Sequence, residues 1–186
     1  QNNLYRNNGN GTFTDVTFVS GFDNEMAPSF QSIWLDYNHD GFPDLYIIND
    51  RTTWENKFYE NNGDGTFTNV TLLTQTAMTG RDPMSISLGD YDNDGDQDLF
   101  VSDAASASQP RGTLFGQTFT FDYIDQASSL GISIPANMWG STWLDYNNDG
   151  FLDLFVATGD IPIAKNYFYV SDSANNFLQD TSIFVG

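Results

Sequence analysis

The chain has 186 residues, no cysteine, and a formal net charge of −19 from 25 acidic and 6 basic side chains. Disulfides and thiolate metal sites are excluded, and nucleic acid or an anionic membrane surface is an unexpected partner, since binding either needs a basic face. No apolar run approaches the ~20 residues that cross a bilayer, so membrane insertion is not expected either. Aromatic residues make up 16% of the chain, alongside many Asn, Asp, Gly, Thr and Ser. Aromatics favour strands, and the small polar residues favour tight turns. The chain opens Gln-Asn-Asn without Met and shows no leader pattern, as expected of a mature form or an excerpt of something longer.

In chain order, the first element is LYRNNGNGTFTDVT at 4–17. Asn-Gly supplies the positive φ angles of a tight hairpin turn, and the far side alternates with period 2. Next comes QSIWL, the Asp-rich stretch DYNHDGFPD at 36–44, and DLYII. The two short runs read as strands. A second hairpin, FYENNGDGTFTNVT, begins at residue 58, 54 residues after the first. The Asp-rich stretch then recurs as DYDNDGDQD at 90–98 and DYNNDGFLD at 145–153, spaced by 54 and 55 residues. Weaker versions of the hairpin begin at Leu114 and Tyr167. One repeat is therefore four strands: A, Asp loop, B, longer loop, C, tight turn, D. In the first full unit they are expected near 31–36, 44–49, 56–61 and 65–71.

Four antiparallel strands per ~50-residue repeat is the pattern of a β-propeller blade, whose two faces are buried by its neighbours. The expected fold class is all-β. It comprises a C–D half blade at 1–20 and full blades at 29–75, 84–127 and 138–183. Such a set is expected to be a segment of a larger propeller, or a subunit whose ends a neighbour completes. Open blade edges also invite self-association.

Within each Asp loop, positions 1, 3, 5 and 9 carry oxygen side chains: Asp36, Asn38, Asp40 and Asp44; Asp90, Asp92, Asp94 and Asp98; Asp145, Asn147, Asp149 and Asp153. Position 6 is Gly41, Gly95 or Gly150, which permits a sharp turn. Hard oxygens at alternate positions suit Ca²⁺, which takes 6–8 oxygen ligands. Position 7, at Phe42, Asp96 or Phe151, is expected to add a backbone carbonyl, and the side chain of Asp96 is expected to be free. Mg²⁺ prefers to keep its waters, and zinc lacks its usual ligands here. An EF-hand is ruled out because position 12 is Ile47, Val101 or Val156 in place of Glu, and the flanks read as strands. About three Ca²⁺ ions are expected, and they would offset about a third of the formal charge.

These Asp loops and NGDGTF hairpins resemble the FG-GAP or VCBS-like repeats of integrin-α-type β-propellers. The wording of LYRNNGNGTFTDVT and LGDYDNDGDQDLFVSD is most similar to repeats found beside ASPIC/UnbV domains, although no such domain is evident in this chain. The resemblance covers nearly the whole chain. It implies that each Asp loop joins strands A and B and binds Ca²⁺, and it implies secretion. Propellers of the family commonly close with seven blades, more than this chain supplies.

No catalytic centre is expected. The single histidine, His39, lies inside the first Asp loop and reads as an exposed loop residue. Trp34, Trp139 and Trp143 lie in or beside strand A and are expected in the core. Trp54 is expected to pack between blades, with stacking on a partner beside Arg51 as the alternative. Tyr37, Tyr91 and Tyr146 are expected to brace the Asp loops. Sequons at Asn10 and Asn69 could accept glycans in a secretory host. The favoured role is an extracellular or cell-surface module for adhesion or surface assembly, with a protein or glycan partner. A lectin-like binder and the non-catalytic part of a larger secreted enzyme are the alternatives.

Overall fold

The computed structural model describes residues 2–22, 26–104, 112–132, 134–159 and 165–182. Fourteen strands account for nearly all its regular structure, and they form one two-stranded and three four-stranded antiparallel sheets. Strands β1 (Tyr5–Asn7) and β2 (Phe13–Asp15) are the half blade. The first full blade is β3 (Ser29–Leu35), β4 (Asp44–Asn49), β5 (Lys57–Asn61) and β6 (Phe67–Asn69), paired in that order. The second is β7 (Pro83–Gly89), β8 (Asp98–Asp103), β9 (Thr113–Gln117) and β10 (Tyr123–Asp125). The third is β11 (Met138–Leu144), β12 (Asp153–Thr158), β13 (Tyr167–Ser171) and β14 (Phe177–Gln179). The expected all-β blade architecture is therefore present. Parts of the variable B–C loops, at 105–111 and 160–164, and residue 183 at the end of the last expected blade lie outside the described residues.

Strand B is the centre of each blade. In β4 and β8 every residue is buried, because each strand has a partner on both edges and a blade or hairpin against its faces. Two large apolar clusters fill the gaps between full blades. One joins Tyr46, Ile48 and Phe58 of the first blade to Leu99, Val101 and Phe115 of the second. The other joins Phe100 and Leu114 of the second to Leu154, Val156 and Tyr169 of the third. A smaller cluster, Leu45, Ile47 and Tyr59 with Phe22 and Phe67, lies between the first blade and the half blade. Alternation along strand B thus serves two neighbours at once, so the aromatics are spent on blade stacking.

Three features were not expected. Each A strand carries a register shift at its second residue, between Ser29 and Gln31, Pro83 and Ser85, and Met138 and Gly140. A bulge at one fixed position bends each A strand alike. A four-residue helix, α1 (Thr71–Thr74), follows β6. Trp34 and Trp139 are not core residues: they are 46% and 57% exposed. Trp34 faces the half blade, and Trp139 is the bulged residue of β11. Only Trp143 takes the expected place, against Tyr91, Phe100 and Phe177.

Candidate metal centres

Each Asp loop connects strand A to strand B at one end of its blade, and the three loops share one backbone shape. Gly41, Gly95 and Gly150 have φ of 86°, 95° and 88°, a region open to glycine and strained for most side chains. Position 4 is also left-handed in each loop, with φ of 57° at His39, 58° at Asn93 and 59° at Asn148. Asn and His are among the residues that tolerate this conformation best.

The position-1 carboxylate organises the turn. In the middle loop, Asp90 accepts the N–H groups of Asp94 and Gly95, both at 3.0 Å. Asp36 does the same for Asp40 and Gly41 at 3.1 and 3.0 Å, and Asp145 for Asp149 and Gly150 at 3.0 Å. The position-5 carboxylates of Asp40, Asp94 and Asp149 accept the N–H of position 7, at Phe42, Asp96 and Phe151, at 2.8–3.0 Å. Repulsion between the acids is thus offset by inward-turned backbone N–H groups in all three loops, while among the described residues only the middle loop brings three carboxylates together.

Position 9 does more than the sequence suggested. Asp98 is buried, and its Oδ2 accepts the Tyr91 N–H while its Oδ1 accepts the Gln117 N–H, both at 3.0 Å. Asp44 holds Tyr37 and Asn61 in the same way, and Asp153 holds Tyr146 and Ser171. One carboxylate therefore ties together the loop, strand B and the end of strand C. Burial pushes Asp98 up to about 7 and Asp44 up to about 6, opposed by these N–H donors and reinforced by the neighbouring loop carboxylates.

Position 3 separates the middle loop from its sisters. Asn38 donates its amide N–H to Asp40 at 3.0 Å, and Asn147 donates to Asp149 at 2.9 Å. Asp92 has no such proton to give. Its carboxyl is raised above the usual range, first by burial and then by the charge of Asp94. Its Oδ1 is buried and lacks a hydrogen-bond partner. Ligand oxygens of Asp90, Asp92 and Asp98 lie within 4.8 Å of one another. Three convergent carboxylates with an orphaned oxygen are the donor set of a hard divalent cation, and Asp94 with the Asp96 carbonyl would extend it.

Consecutive loops touch. His39 Nε2 lies 3.4 Å from Asp96 Oδ1, so the Asp96 side chain is not free as expected; it faces the preceding loop. Asn93 donates to the Gly150 carbonyl of the following loop at 3.3 Å. Gln117, whose N–H binds Asp98, also donates its side-chain amide to the Tyr37 carbonyl at 2.5 Å. The tyrosines brace the loops where a next blade covers them. Tyr37 and Tyr91 are buried and donate to Glu60 (2.5 Å) and Gln126 (2.8 Å), whereas Tyr146 is 48% exposed. Trp54 is half-buried in the first B–C loop.

Known sequences carry the same pattern. Residues 36–101 match the model of the FG-GAP-like repeat family, a span holding the first two Asp loops. Cartilage acidic protein 1 of Xenopus tropicalis is 25% identical over 166 residues, which cover 86% of this chain and 25% of that relative. The chain thus spans about a quarter of that relative's length.

Proposed function

We propose that this chain, which carries FG-GAP-like repeats, is a non-catalytic extracellular module whose Asp loops hold structural Ca²⁺ and whose blades and loops bind a cell-surface protein or glycan. The observation that carries the reading is the orphaned Asp92 oxygen beside Asp90 and Asp98. A buried acceptor with no donor is costly, and a cation is the partner that would remove the cost. Asp36, Asn38, Asp40, Asp44 and the Phe42 carbonyl would serve the first loop, and Asp145, Asn147, Asp149, Asp153 and the Phe151 carbonyl the third. The ion supplies positive charge that links the A–B turn of each blade.

The extracellular location is part of the same proposal. Extracellular modules use calcium sites of about 10⁻⁴–10⁻³ M because calcium is plentiful there, and exposed loops of this kind suit that setting. The relative's name associates it with cartilage and acidity, and this chain shares the acidity. The reading assigns no catalytic role: the one histidine sits on a loop, and the clustered acids are given to the turns and the proposed cation. Calorimetric titration tests the reading. It should return about three Ca²⁺ per chain, whereas no binding heat at millimolar Ca²⁺ would remove it.

A further inference from the structure

One contact joins the A strands of the second and third full blades: the sixth residue of β11 packs back toward the seventh residue of β7. Trp143, sixth in β11, lies against Gly89, seventh in β7; a Cβ on Gly89 would meet the indole at 2.8–2.9 Å. Leu88, sixth in β7, packs on the cluster that holds Leu35, seventh in β3. A tryptophan thus faces a glycine at one interface, while at the other Leu88 and Leu35 share a cluster.

Trp34 is the sixth residue of β3, and its place in this pattern is unfilled. It is 46% exposed and lines a groove of about 470 Å³ together with Leu4, Tyr5, Phe22, Leu45 and Ile47. The strand-B positions of Leu45 and Ile47 correspond to Leu99 and Val101, which a preceding full blade covers. Among the described residues, β1 pairs with β2 alone, so one edge of β1 is open toward the same groove. The apolar cluster here has three buried residues, against eleven and twelve at the two interfaces between full blades.

We propose that this groove receives an A–B hairpin of the same repeat type, paired to the open edge of β1, with glycine as the A-strand residue facing Trp34. The internal repeats define this occupant. Strand B pairs with strand C in all three full blades, so the strand beside β1 is a B strand and its hairpin partner is an A strand. The indole then dictates glycine, because the room Trp143 occupies is the missing side chain of Gly89. Residues 83–103 of this chain have that form, with glycine immediately before the Asp loop. The inference does not rest on calcium occupancy of the loops.

The test extends the whole chain at its N-terminus with a second copy of 83–103 through a flexible linker. Acrylamide quenching is read as the difference between the protein and its Trp34→Phe variant, which isolates Trp34. The expected result is severalfold weaker quenching of Trp34, a blue-shifted emission, and a melting temperature raised by several degrees. In the same extension with Leu replacing the copied glycine, the protection should vanish. An unprotected Trp34, or equal protection by the leucine version, overturns the proposal. A dimer of the unextended chain with Trp34 shielded would also overturn it, because a second copy would then be the occupant.

Discussion

The loop at 90–98 and its sisters at 36–44 and 145–153 have the same backbone and differ in one functional atom. Where Asn38 and Asn147 donate an N–H to the position-5 carboxylate, Asp92 presents an oxygen. The outer loops are therefore closed by their own hydrogen bonds, while the middle loop stores repulsion that only a cation or a proton relieves. A repeat can keep one shape while its copies differ in how their charges are balanced.

The largest expected effect comes from what the loops share. Asp98→Ala would strand the buried N–H groups of Tyr91 and Gln117. Each unsatisfied group costs roughly 1–3 kcal/mol, so urea unfolding should show a loss of about 3 kcal/mol even with chelator present. Asp44→Ala should cost as much. Asp153→Ala should cost less, because Tyr146 beside it is open to water. Equal losses at all three positions would break the link between blade coverage and the position-9 tie.

An exchange at position 3 sharpens the comparison next. In chelator, Asp92→Asn should stabilise the protein by about 1 kcal/mol, because it restores the donor its sisters have. In calcium the sign should reverse, with weaker binding at the highest-affinity step seen by calorimetry. Asn38→Asp should do the opposite in both media. If the two variants behave alike, the difference between loops is not electrostatic.

Acidity provides a third test. Burial holds Asp98 at about 7 and Asp44 at about 6, both above the ordinary carboxyl value. A carboxyl that binds its proton more tightly when folded stabilises the fold fully below pH ~4, and that contribution is lost as pH rises through the folded value. Chelated protein should therefore lose stability between pH ~4 and ~7. Calcium needs the ionised forms, so the gap between melts with and without calcium should widen over the same window. A constant gap would contradict this assignment. The smallest effect is expected at the contact between loops: His39 is half-exposed and 3.4 Å from Asp96, so His39→Ala should change stability by less than about 0.5 kcal/mol.

Most of the fold was legible because the repeat advertises itself. Asn-Gly and Asp-Gly marked the hairpins, and the apolar runs beside each Asp loop marked strands A and B. The Asp loops were legible for the same reason, since oxygen residues at fixed positions and one glycine recur three times. Contacts between repeats were not legible. Trp34 and Trp143 hold equivalent strand positions, and only blade stacking buries one and leaves the other in a groove. Asp96 looked free because its neighbour, His39, lies 57 residues away in sequence and arrives only when consecutive blades align. The second role of position 9 was hidden for a similar reason, because the N–H groups of Asn61, Gln117 and Ser171 belong to strand C.

The central claim is that these loops bind calcium and that the blades depend on it. Thermal unfolding at millimolar calcium and in excess chelator tests it most directly. At a hundredfold excess over Kd, each filled site should stabilise the native state by about 2.7 kcal/mol, so the melting temperature should rise by several degrees or more. Superimposable melts in the two media would contradict the account.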